Sequence, residues 1–338
     1  MRKEASLEQW RELYDVAIEI KELEPWKYLW DMDVITIIPS RLKEPIYCSI
    51  MGRGGGFFGV GSYFGFKAIN NFYKMAENNN IPQEQMIRYQ DDNIIMCYFG
   101  SREELTNKEL KLIKDLGLKF RGKNNWIYFH SFKKGYMPFV LDEEEVIRET
   151  EVLQHLYMSL KAFIEHGLKV DFENGMSLVR TYDDDEELWL NFEAPIPLHP
   201  EPYPEIILQD DLLIAKLNKQ KTINDSIEID IIYLNAVVND KKYDRPVNPR
   251  ICIIASRTNG MIIDQSMLSP DDDEIQAIFN MVVNYISNIG KPKTIFVRDE
   301  YIMSILKNLC ERINIELKIK GRLKVVDNFV KEFANFGI

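Results

Sequence analysis

The chain is poor in the residues that usually announce chemistry. Its 338 residues include only four cysteines and four histidines. Cys48, Cys97, Cys252 and Cys310 lie far apart, with no Cys-x-x-Cys pair. Three of them sit inside apolar runs, IYCSI, IMCYF and ICIIA. That pattern argues against a disulfide framework and for small buried hydrophobes in a reducing compartment. His130, His155, His166 and His199 do not fall at zinc-ligand spacing, and no His-Glu-x-x-His occurs. A Gly-x-Ser-x-Gly elbow, a Gly-Lys-Ser/Thr phosphate loop and the kinase HRD and DFG signatures are all missing. No stretch approaches the roughly 18 apolar residues of a membrane helix. The start, MRKEASLEQW, lacks an apolar signal core. The expectation is a cytoplasmic protein with no membrane partner.

What is present is an ordinary globular mixture, 46% hydrophobic and 28% charged, with 12% aromatic residues to fill cores. A chain of this length exceeds what one core usually organises, so at least two domains are expected. The net charge of -11 disfavours adventitious binding to nucleic acid. Acidic residues crowd the stretch from Asp142 to Asp211, whereas residues from Thr222 onward are close to balanced.

The fold class expected is mixed α/β (α+β). Residues 1–135 read as an N-terminal α+β domain. Ser6 and Gln9 have capping-box spacing ahead of Leu7, Trp10, Leu13, Ala17 and Ile20, and Pro25 ends that helix. VITIIPS, PIYCSIMG and FFGVGSYFG predict a three-strand meander with a glycine turn at 54–56. A helix over 66–77 follows, then the strands NIIMCYF and WIYFHSF around a helix at 107–116. Residues 136–194 read as a separate acidic helix and β-hairpin. The helix spans Asp142 to His166, and the strands MSLVRTY and LWLNFEA are joined by the acidic run 183–187. Five prolines between Pro195 and Pro204 predict an extended connector over 195–221. Residues 222–338 then alternate strands and helices. IEIDIIYLNAVV, RICIIAS and GMIIDQSML come first, with Asn259-Gly260 in a tight turn. A helix with Ser269 as N-cap and Pro270 in its first turn carries an apolar stripe from Ile275 to Ile289. TIFVRD, a helix from Tyr301, IELKIK and a final helix over 324–336 complete the chain. The two halves share a strand rhythm in outline only.

Several signals resolve against function. Gly54-x-Gly56-x-x-Gly59 has dinucleotide-fingerprint spacing, but an aromatic, glycine-rich strand follows where a helix must open. The runs DDDEE (183–187) and DDDE (271–274) lack the alternating spacing of a calcium loop and read as solvated charge and a helix N-terminus.

The C-terminal third is more informative. Three strands with a central acid, a helix, a strand ending in Asp and another helix resemble the ribonuclease H-like fold of integrases and transposases. GKPKTIFVRDEYIMSILKNLCERINIEL carries most of that likeness. The resemblance implies Asp230 as the first-strand acid and Asp299 as the fourth-strand acid, with Asp327 or Glu332 from the last helix as the third. Such carboxylates would hold two divalent ions, Mg or Mn, about 4 Å apart on a phosphodiester. Lys318, Lys320, Arg322 and Lys324 would meet a nucleic-acid backbone. The departures are that no Asp-Asn-Gly follows Asp299 and that the chain is acidic overall. Asp230 shares a strand face with Glu228, and Asp299 precedes a helix it could cap. As a whole, the chain also resembles uncharacterised bacterial two-domain proteins with a PW-x-x-LW-x-x-D module, carried here by Pro25, Trp26, Leu29, Trp30 and Asp33. Trp26 and Trp30, four apart, are expected to pack one face onto the first sheet.

Two readings follow. The first is a non-catalytic binding or interaction protein with no cofactor and a protein or small-molecule partner. The alternative is a divalent-metal nuclease or phosphodiesterase using Asp230, Asp299, Asp327 and Glu332.

Overall fold

The structure is a computed structural model that describes residues 2–39, 44–77, 83–90, 93–199, 202–234 and 236–335. It divides into two compact units. One comprises residues 1–73, 90–134 and 138–200; the other comprises 74–89, 135–137 and 201–338.

In the first unit, α1 (Leu7–Glu22) starts at Ser6, whose side chain and that of Gln9 form the expected reciprocal capping box. β1 (Ile35–Ile38), β2 (Ile46–Met51) and β3 (Gly59–Phe64) follow, with Gly54–Gly56 in the loop between the last two. No helix opens at these glycines; the next one begins only at Phe66. Next come α2 (Phe66–Glu77), β4 (Ile94–Gly100), α3 (Asn107–Asp115) and β5 (Trp126–Phe132). α4 (Glu143–Ile164) is capped by Asp142, and β6 (Met176–Asp183) and β7 (Leu188–Pro195) form the hairpin.

The strands make one seven-stranded sheet in the order β5-β4-β3-β2-β1-β6-β7. β6 lies parallel to β1, with Ile35 opposite Leu178, so the hairpin extends the first sheet. β1, β2 and β3 form the expected antiparallel meander, and the hairpin expected within 136–194 adds to the same sheet through β6. Strand alternation places Ile35, Cys48, Ile95 and Leu178 on one face, where α1 and α4 cover them with Leu13, Ala17, Leu153 and Leu156. Trp26 packs edge-on against Phe58, but Trp30 is half exposed with the Arg53 guanidinium 4.6 Å above its ring. Trp26 thus packs onto the first sheet as expected, whereas Trp30 makes a cation–π contact instead.

In the second unit, α5 (Asp211–Asn218) begins at the N-cap Asp210 and buries Ile214 and Leu217. The connector is thus helical in its second half, where Leu-Leu-Ile-Ala-Lys-Leu follows the last proline. β8 (Ile227–Tyr233), β9 (Arg250–Ser256) and β10 (Ile262–Leu268) form an antiparallel meander. α6 (Glu274–Asn288) takes Asp273 as its cap. Ser269 instead closes a separate turn, its N–H donating to Asp272, so the expected cap lies five residues before the helix begins. Ile289, expected in the apolar stripe, is the exposed C-cap. β11 (Thr294–Val297), α7 (Glu300–Ile313), β12 (Glu316–Ile319) and α8 (Lys324–Asn335) follow. The expected helix end at Phe336 lies outside the described residues.

The second sheet has the order β10-β9-β8-β11-β12, with β11 parallel to both β8 and β12. Ile227, Ile229, Ile231 and Tyr233 point to the side where α5, α6 and α7 build the main core. Glu228, Asp230 and Ile232 point the other way, toward α8 with Leu323, Val326 and Val330. Two acids on the covered face of a central strand demand partners.

Candidate functional site

The carboxylates expected from the C-terminal pattern converge, but around arginines. Asp230 is fully buried at the middle of β8. Its Oδ2 accepts from Arg298 Nε at 2.7 Å, and its Oδ1 accepts from Arg88 Nη2 at 3.0 Å. Arg298 continues to Asp327 Oδ1 through Nη2 at 2.6 Å and to the Gly321 carbonyl through Nη1 at 2.8 Å. Arg88 also donates to the Ile231 carbonyl at 2.7 Å and lies 3.7 Å from Asp299 Oδ2. Two guanidiniums thus link three carboxylates in one buried network.

Each member is delivered by a different element. Register explains Arg298: Phe296 lies opposite Glu228 and Val297 opposite Ile229, so Arg298 at the end of β11 falls beside Asp230. Arg88 comes from a short 3-10 helix over Gln83–Tyr89. In the same helix the buried Gln85 accepts from the Tyr233 N–H and donates to its carbonyl, fixing the segment along β8. Asp327 lies in the first turn of α8, and its second oxygen accepts the Leu323 N–H at 3.1 Å. Asp299 is the N-cap of α7, accepting from the Ile302 N–H at 3.2 Å. Glu228, one pleat from Asp230, accepts the Val325 and Val326 N–H groups at the start of α8 at 2.8 and 3.1 Å. That sheet carboxylate satisfies donors the helix cannot satisfy itself.

Electrostatics follow from this arrangement. Burial alone would push the Asp230 carboxyl upward, but Arg298 and then Arg88 hold it below the usual carboxylate range. Arg88 is likewise held protonated against its burial by Asp230 and Asp299. Asp230 therefore stays ionised, with both oxygens committed.

Of the four candidates, Asp230, Asp299 and Asp327 are brought together, whereas Glu332 sits on an exposed face of α8 and joins none of these pairs. The three do not fit a pair of divalent ions. The Arg298 guanidinium, fully buried, occupies the gap between Asp230 and Asp327 that a shared metal would need. Among the described residues, no group of three or more His, Cys, Asp or Glu side chains could hold a metal.

Sequence reasoning missed both arginines. Arg298 carried a signal, since period-2 alternation along TIFVR puts Phe296 and Arg298 on the Asp230 side once β11 pairs with β8. Arg88 carried none; it is 142 residues from Asp230 in the chain. A second buried pair, Arg250 with Glu274, was also missed, because the DDDE run reads as a solvated helix start. Glu274 also accepts from the Tyr301 hydroxyl at 2.5 Å. Of the other acids in that run, Asp271 pairs with Lys242 on the surface, and Asp272 and Asp273 accept backbone N–H groups.

Comparison with known proteins gives two family matches. A model described as a domain of unknown function (DUF7309) matches residues 10–180. A second, also a domain of unknown function (DUF6930), matches residues 213–334. No curated protein matches the chain. Among the described residues, no helix is long and apolar enough to cross a membrane. The second match contains Asp230, Arg298, Asp299 and Asp327, and the first contains Arg88.

Proposed function

The chain belongs to the family of the domain of unknown function DUF7309, and we propose that this member is a non-catalytic interaction protein whose second unit keeps a ribonuclease H-like arrangement without its chemistry. One observation carries the reading: Arg298 bridges Asp230 and Asp327 where a two-metal mechanism needs a bridging carboxylate open to ions. The strand order, with β8 between an antiparallel neighbour and a parallel one, supports the ribonuclease H-like part. In this reading Asp230, Asp299 and Asp327 are structural. They join β8, α7 and α8, and the arginines take the place of cations that a catalytic relative would bind. Neither Mg nor Mn is needed for the fold or for partner binding.

The metal-dependent nuclease reading makes the opposite demand, since at least Asp230 must exchange its arginines for ions. The test uses the full chain with single- and double-stranded DNA and RNA in Mg²⁺ or Mn²⁺. The expected result is no cleavage above buffer and no calorimetric binding of Mn²⁺. Metal-dependent cleavage that disappears in Asp299→Asn would overturn the proposal.

A further inference from the structure

We propose that the outer edge of β7 takes up an extended basic peptide segment as an added strand. β7 ends the first sheet, and among the described residues its only strand partner is β6. The pairing runs from Met176–Pro195 to Asp183–Leu188 without a register shift, so the edge is unbroken over eight residues. Such an edge exposes alternate backbone N–H and C=O groups, and proteins normally guard it with lysine, a bulge or a covering segment. This one carries no lysine and no bulge, and its charged and proline residues, Glu193 and Pro195, lie only at its far end. Its side chains invite contact: Leu188, Leu190 and Phe192 alternate along one face and are 42%, 37% and 39% exposed. Period-2 spacing of apolar side chains beside open backbone groups is the pattern that strand addition uses, with the backbone giving affinity and the side-chain row giving preference.

Charge identifies the occupant. The hairpin 176–195 carries six acids, Asp183, Asp184, Asp185, Glu186, Glu187 and Glu193, against one base, Arg180. None of the six forms an ion pair among the described residues, and Asp184–Glu187 and Glu193 are exposed. Arg180 is buried and spent on His155, Asn191 and the Trp189 ring. A second copy of this chain would set an identical acidic hairpin against this one. A strand of alternating apolar and basic residues matches both the row and the charge.

This deepens the interaction reading above and rests on it. The test runs in EDTA, so metal-dependent cleavage, which would sink that reading, leaves the outcome here readable. The probe is a fluorescein-labelled twelve-residue peptide of alternating valine and lysine, followed by anisotropy with the full chain. Saturable binding is expected, at least tenfold weaker for the Leu190→Thr/Phe192→Thr pair. Those positions are exposed, and threonine retains strand propensity. Neutralising Asp184, Asp185, Glu186 and Glu187 to Asn or Gln should weaken binding and flatten its salt dependence, and a valine–glutamate peptide should not bind. Absence of binding, or equal binding by the threonine pair, overturns the proposal; the second would mean charge attraction alone. Dimerisation seen by sedimentation and abolished by the threonine pair would overturn it in favour of a second copy.

Discussion

Replacing Arg298 by methionine tests the buried network directly. The change keeps an unbranched side chain as far as the Nε position and removes one charge and the three contacts to Asp230, Asp327 and the Gly321 carbonyl. Breaking a buried pair while leaving its partner charged costs about 3–5 kcal/mol. With a urea slope of about 2 kcal/mol/M, the transition carrying the second unit should move down by roughly 2 M. The pH dependence is more diagnostic. In the parent, the folded Asp230 pKa is depressed, so its contribution is present above the unfolded value and is lost only as pH falls through the folded one. Parent stability from this group is therefore flat above about pH 5 and only slightly reduced at pH 4. In Arg298→Met only Arg88 is left to oppose burial, so the Asp230 pKa is expected to rise above that of the unfolded chain. Its contribution then declines as pH rises from about 4, and the gap to the parent widens toward neutrality. Urea titrations at pH 4, 5.5 and 7 measure that gap. A variant within about 1 kcal/mol of the parent at pH 7, or a gap that does not change with pH, would refute the account.

Two further outcomes follow from buried groups in the first unit and a tight turn in the second. Burial raises the Glu149 carboxyl to about 8, offset only in part by the Ser62 hydroxyl and Arg148. The native state therefore holds a proton the unfolded chain releases, and parent stability should fall as pH rises from about 4.5 to 8. Glu149→Gln should flatten that decline, a difference on the order of a few kcal/mol, read by denaturation at pH 5 and 8.5. Gly290, past the end of α6, has φ +130°, and a Cβ there would stand 2.7 Å from the Lys221 carbonyl oxygen. Gly290→Ala should cost about 2 kcal/mol or more, seen as a lower thermal midpoint, while Gly54→Ala, in open space, should cost little.

Local rules carried most of the fold. Ser6 with Gln9 forms the capping box its spacing predicts, and Asp142 caps the long helix expected to begin there. The strands fall where β-branched and aromatic runs lie between turn residues. What local rules could not supply was pairing: that β6 joins β1 in parallel depends on contacts 143 residues apart, with no short turn to announce them. Cap placement at α6 failed for another reason. Ser269, Asp272 and Asp273 are all competent N-caps, and Asp273 takes the position, immediately before Glu274, which pairs with Arg250. The site divided in the same way. Asp230, Asp299 and Asp327 were legible because an acid on a buried face or a strand end is conspicuous. Their neutralisation was legible only in part: Arg298 follows from the alternation along β11, whereas Arg88, supplied from a distant 3-10 helix, leaves no periodic trace around Asp230.

The segment 74–89 has a consequence for how this protein can be divided. A fragment made of residues 201–338 would contain every strand of the second sheet yet lack Arg88 and Gln85. Asp230 would keep one guanidinium, and the Tyr233 backbone would lose the amide that serves both its N–H and its carbonyl. During synthesis, residues 74–89 emerge long before β8 exists. By then β3 and β4 flank them on either side and pair with each other, Tyr63 opposite Ile94. The first sheet thus holds the ends of this excursion as a closed loop, so that the missing piece of the second unit waits tethered at high local concentration. Supplying 83–89 as a free peptide should complement the fragment only at concentrations that this tether makes unnecessary.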